Sequence, residues 1–120
     1  MTQNQTSQPI APDELPDVIT RYLAAHRARK TAAALATFTD DAIVTDDGTT
    51  YSGLPAIENW LNRSSTEYDY TVELTSAHST DATHHTATNR LQGDFPGGIV
   101  DLRYQFTLRD DLIERLVIEP

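Results

Sequence analysis

Residues 38–53 read FTDDAIVTDDGTTYSG and hold four aspartates in two adjacent pairs, Asp40–Asp41 and Asp46–Asp47. Asp40 and Asp41 read as helix-exit and turn residues, and Asp47, ahead of Gly48, as a turn residue. Asp46 differs from them. It alternates with Ala42 and Val44, so the three share one face of a short strand. A carboxylate at the mouth of an apolar cavity resists ionisation because it is desolvated, which suits a general base or proton shuttle. The competing reading makes Asp46 the side-chain cap of the D-D-G turn.

Two phenols accompany it. Tyr22 belongs to the stripe Leu15, Val18, Ile19, Tyr22, Leu23 and His26, spaced as one helical face. It is either a core tyrosine with a satisfied hydroxyl or a donor lining a cavity. His26, one turn on, can hydrogen-bond a ligand, tune Tyr22 or simply pack. Tyr104 alternates with Leu102, Phe106 and Leu108 and supplies a third polar group. Phe38, Val44, Trp60, Leu102 and Phe106 are the apolar residues expected to wall a ligand pocket. His78, His84 and His85 match no zinc spacing, and His84 and His85 point to opposite faces of a strand, so no metal is expected. No nucleotide-binding loop, serine elbow or cysteine–histidine arrangement is present, and no cofactor is expected.

These residues need elements to position them. Residues 15–28 are predicted as one helix, with Asp13 as N-cap and Pro16 in its first turn. TAAALATF gives a second, short helix with Thr31 as cap and Leu35 and Phe38 as anchors. AIVTD, the Asp47–Gly48 turn and TTYSG form a hairpin. Leu54–Pro55 opens a third helix carrying Ile57, Trp60 and Leu61 on one face. Strands are predicted over 68–77, 83–93, 99–108 and 112–118, the third with Asp101, Arg103 and Gln105 on its second face. Asp101 and Arg103 read as an exposed cross-strand ion pair or as dimer-face residues. The order gives an α+β fold: a strongly curved antiparallel sheet wrapped around a long N-terminal helix, with two shorter helices and a cavity at the open end.

The 120 residues fit one domain over 12–120, with residues 1–11 read as a disordered tail. Asp and Glu number 18 against 9 Lys and Arg, a net charge of −9. That balance argues against nucleic acid and anionic membranes as partners. Cysteine is absent, which removes thiol catalysis and fits the cytoplasm. The first residues, MTQNQTSQP, lack the basic and apolar regions of a signal peptide, and no stretch reaches the length of a membrane span.

With RYLAAHRA, ATFTDDAIVTDDGTTYSGLPAIENWL and YQFTLRDDLIERLVI in view, residues 13–119 resemble the nuclear transport factor 2-like superfamily. That group includes the SnoaL-like polyketide cyclases and the ketosteroid isomerases. The resemblance implies a cystatin-like cone, a dimer packed through the outer face of the sheet, and a small hydrophobic ligand. In ketosteroid isomerases an R-Y-x-A-A motif supplies an oxyanion-hole tyrosine, and RYLAA places Tyr22 there. The pattern D-D-A-x-V-x-D supplies the proton-shuttling aspartate, and DDAIVTD places Asp46 there. The third group is an aspartic acid on a late strand; aligning YQFTL puts Tyr104 at that position, a departure from the pattern. The implied activity is proton abstraction next to a carbonyl, as in an isomerase or cyclase. The alternative is a non-catalytic ligand-binding or dimerisation module of the same fold.

Overall fold

Pro16 decides where the first helix begins. The structure, a computed structural model, describes residues 7–66 and 70–120. Pro12–Glu14 make a single 3-10 turn, and helix α1 runs over Asp17–Arg27 rather than 15–28. Leu15 (ψ 144°) and Pro16 (ψ 146°) are extended. A proline ring drives the residue before it out of the helical region, so Leu15 cannot open the helix. Asp13 accordingly sits in the 3-10 turn instead of capping α1. The apolar stripe survives the shortening: Leu15, Val18, Ile19, Tyr22 and Leu23 are all buried. Each such aliphatic side chain contributes roughly 1.5–3 kcal/mol through burial.

Helix α2 is Thr31–Leu35, and Thr31 opens it rather than capping it. Phe38, expected as an anchor of that helix, is instead the first residue of a strand, because Ile113 N–H donates to the Thr37 carbonyl at 2.8 Å and draws the chain into the sheet. Helix α3, Leu54–Thr66, buries Ile57, Trp60 and Leu61.

The sheet has seven strands among the described residues: β1 Gln8–Ile10, β2 Phe38–Asp46, β3 Thr49–Ser52, β4 Tyr70–Ser79, β5 His84–Gly93, β6 Ile99–Arg109 and β7 Leu112–Glu119. Their order is β1-β4-β5-β6-β7-β2-β3. Part of the expected tail is therefore structured: Gln8, Pro9 and Ile10 pair with Ser79, His78 and Ala77. An exposed edge of β4 would leave its backbone groups unpaired, and β1 covers it. Residues 1–6 of the expected tail, and Tyr68 and Asp69 of the strand expected over 68–77, lie outside the described residues.

The sheet is not wholly antiparallel. β2 runs parallel to β7. Tight turns force sequence-adjacent strands to run antiparallel, but β2 and β7, neighbours in the sheet, are separated along the chain by β3, α3 and β4 to β6, and no hairpin fixes their direction. Register irregularities between Phe38 and Ile43, between Leu74 and Ser76, and between Thr107 and Leu108 supply bends of the kind that curl a sheet. Asp40 and Asp41 lie inside β2 at the first of these, exposed, rather than at a helix exit. The Arg109 guanidinium grips Asp41 at 2.6 Å.

Candidate functional site

Strand register, more than helix geometry, assembles the interior. Asp46 pairs with Ile118, Ile118 with Tyr104, Tyr104 with Ala87, and Ala87 with Ala77. This is one row across five strands on the inner, helix-covered face. Neighbouring strands stand about 4.8 Å apart, so the Asp46 and Tyr104 backbones are about 10 Å apart with Ile118 between them. The adjacent row is Val44, Leu116, Phe106 and His85, all buried.

Helix α1 lays two rings over these rows. Tyr22 meets Phe38 and Phe106 edge-on, with centroids 5.6 and 5.7 Å away. His26 stacks on Tyr22 at 5.7 Å and tilts over Tyr104 at 5.8 Å. The Tyr104 hydroxyl and His26 Nε2 share a hydrogen bond of 3.3 Å. The Tyr22 hydroxyl is buried and has no hydrogen-bond partner among the described residues. From α3, the Trp60 indole N–H donates to Asp46 Oδ2 at 3.0 Å, and Trp60 also lies against Tyr51, whose hydroxyl accepts from Arg63 at 2.6 Å.

Electrostatics ties the two groups together. Burial drives the Tyr22 phenol well above its ordinary pKa, and Tyr104, Asp46 and Tyr70 add to the rise. Burial likewise drives Tyr104 far up, with Tyr70 and Asp46 contributing. Tyr70 is raised by burial, partly offset by Arg29, and again pushed by Asp46. Three phenols thus feel one carboxylate, and all three stay protonated as hydrogen-bond donors. His26 is pushed down to about 4, first by burial and then by the Arg29 charge, so it is the neutral imidazole.

The structure therefore brings Asp46 to Trp60, and Tyr22 to His26, Tyr104, Phe38 and Phe106. Phe38, Val44 and Phe106 are 4%, 0% and 1% exposed and form the packed floor, whereas Leu102 is half-buried on the wall. Sequence reasoning passed over Tyr70 and Asn89. Asn89 follows His85 and Ala87 as the third buried, inward residue of β5. An asparagine is a poor strand former, and that was the available signal. On the outer face Arg90 of β5 pairs with Asp101 of β6 at 2.9 Å, and Arg103 of β6 with Glu119 of β7 at 3.1 Å. Among the described residues no three His, Cys, Asp or Glu side chains cluster as a metal site, and no helix is long and apolar enough to cross a membrane.

A curled sheet holding a helix against a row of phenols and one carboxylate defines an α+β cone. A protein from Sinorhizobium meliloti with the provisional name polyketide cyclase is 32% identical to this chain and superposes on it over 92% of this chain and 100% of its own, with a TM-score of 0.85. The chain belongs to the nuclear transport factor 2-like superfamily. Two solved structures share the fold at lower identity. One is a Catenulispora acidiphila protein with a ketosteroid isomerase-like fold, in complex with trimethylamine (21% identity, 88% and 85% of the two chains, TM-score 0.76). The other is a Mycobacterium tuberculosis protein in complex with estradiol-17β-hemisuccinate (16%, 86% and 90%, TM-score 0.72). No protein-family model matches the chain, and no curated protein matches it.

Proposed function

We propose that this chain binds a small hydrophobic molecule bearing a carbonyl and moves a proton next to that carbonyl, as an isomerase or cyclase. The observation that carries the reading is the Tyr22 hydroxyl, buried, without a partner among the described residues and within electrostatic reach of Asp46. Two proteins of the same fold are in complex with a small amine and a steroid ester, which supports small-molecule binding by this fold.

In this reading Asp46 takes the proton from the carbon beside the carbonyl. The C–H electron pair moves into the carbon skeleton and the carbonyl oxygen becomes an enolate oxygen. Tyr22 donates to it. If neutral His26 carries its proton on Nε2, it donates to the Tyr104 oxygen and leaves the Tyr104 O–H for the same enolate. Trp60 holds Asp46 by one oxygen and fixes its direction. Asp46 then returns the proton to a different carbon, an isomerisation, or the enolate carbon attacks a second carbonyl in the same molecule, a cyclisation. No cofactor is needed. The chain works in the cytoplasm as a homodimer joined through the face of Asp101, Arg103 and Gln105.

A second reading, a non-catalytic ligand-binding or dimerisation module, is favoured by the His26–Tyr104 hydrogen bond, which already engages one phenol. A cyclic β,γ-unsaturated ketone separates the two, because conjugation of its double bond is followed by ultraviolet absorbance. Wild type should convert it. Asp46→Asn keeps an acceptor for the Trp60 N–H, so it should fold and bind but lose at least about 100-fold in rate, as removal of a general base does. Binding without conversion in wild type would favour the module.

A further inference from the structure

Asn89 is 1% exposed, and its Nδ2 is buried without a hydrogen-bond partner among the described residues. A buried amide donor left unpaired lowers stability relative to an apolar residue of the same shape. Its place in the fold suggests what it serves. Register sets Asn89 opposite Leu74 on one side and Leu102 on the other, and diagonal to Tyr104, which pairs with Ala87. Diagonal neighbours in a sheet have backbones about 7–8 Å apart, within reach of an aromatic side chain. On the Phe106 side of Asn89 the inner face is closed. On the other side it opens: Leu74 and Leu102, then Val72, Leu91 and Val100, are apolar and only half-buried. The unpaired donor stands where the packed floor gives way to a half-open apolar wall. A ligand whose carbonyl sits at Tyr22 and Tyr104 would extend past it.

We propose that Asn89 selects the ligand by donating to a second acceptor. The ligand class is then a rigid hydrophobic molecule, such as a fused bicycle, with two carbonyl-type oxygens at its opposite ends. Apolar contacts with the half-buried wall hold the skeleton between them. This rests on the reading of the interior as a carbonyl pocket.

Two probes test it: decalone, a fused bicyclic monoketone, and the decalindione with carbonyls at opposite ends of the same skeleton. Their Kd values are measured by calorimetry on wild type, Asn89→Leu and Asn89→Ser. Wild type should bind the dione about fivefold to tenfold more tightly, the gain of one buried hydrogen bond. Asn89→Leu should lose that preference while holding decalone with little change, and Asn89→Ser, which keeps a donor, should retain part of it. A symmetric dione gains about twofold from its two equivalent orientations alone, so a wild-type ratio no larger than that overturns the role of Asn89 and leaves the carbonyl pocket standing. A preference undiminished in Asn89→Leu overturns it too. If wild type binds neither ketone, the carbonyl-pocket reading falls and this proposal with it. Should Asn89→Leu not fold, the wild-type ratio and Asn89→Ser decide.

Discussion

His26 sits between two tyrosines and is held neutral by burial and by Arg29, with its pKa near 4 against 6.5 for an ordinary histidine. The unfolded chain therefore binds more protons than the folded one between those values. Stability is full above about 6.5 and falls as pH drops through that window, by up to about 3 kcal/mol. Asp41 and Asp101 are held below the usual carboxylate range by hydrogen bonds from Arg109 and Arg90, so their contributions are lost only at lower pH. His26→Phe keeps a ring against Tyr22 but takes up no proton. Urea unfolding at pH 4.5 and pH 7 should give wild type the larger difference; equal differences would place the titration elsewhere. At this scale the sequence was informative about faces and silent about partners. Alternation with Val44 put Asp46 on the inner face, yet nothing in the sequence pairs it with Trp60, because the rotation of α3 over β2 is set by packing.

Elements were legible where short-range chemistry dictates them. Asp47 (φ 52°) and Gly48 (φ 80°) both have positive φ, the turn that the D-D-G signal predicts, and Asp46 pairs with Thr49 across it. A Cβ built on Gly48 would meet nothing within 4 Å, so its substitution costs backbone conformation alone. Gly48→Ala should lower stability by about 1–2 kcal/mol, and Gly48→Asn by less, since asparagine tolerates the left-handed region. Urea midpoints check this; an alanine variant as stable as wild type would mean that the hairpin tolerates another turn. Elements were illegible where distant parts meet. The irregularity between Leu74 and Ser76 breaks the alternation of β4, so the inward residues Tyr70, Val72 and Leu74 are followed by Ala77. No local motif announces that bulge. The parallel pairing of β2 with β7 and the capture of Gln8–Ile10 likewise depend on which edges the finished sheet leaves open.

For the whole molecule, the proposed dimer brings together two copies that each carry a net charge of −9. Their repulsion is long-ranged and screened by salt, whereas contacts across the sheet face are short-ranged. Raising salt from about 0.1 M to about 1 M shortens the Debye length from about 10 Å to about 3 Å, so sedimentation at micromolar concentration should show the dimer fraction rising. A clean monomer at both salt levels would count against the dimer. Arg103→Glu should weaken association, because it removes one of the few cations from this face and adds a carboxylate beside Asp101. Part of that effect is internal to each chain, since Arg103 Nη2 donates to Glu119 at 3.1 Å and Gln105 Nε2 donates to the same carboxylate at 3.0 Å. The exchange Arg103→Glu with Glu119→Arg isolates the rest. It restores the ion pair within each chain and the original net charge, while moving the cation one strand over. Association restored by the exchange assigns the loss to the internal pair and to charge. Association still weak after it means that Arg103 touches the second copy directly, as the dimer through this face requires.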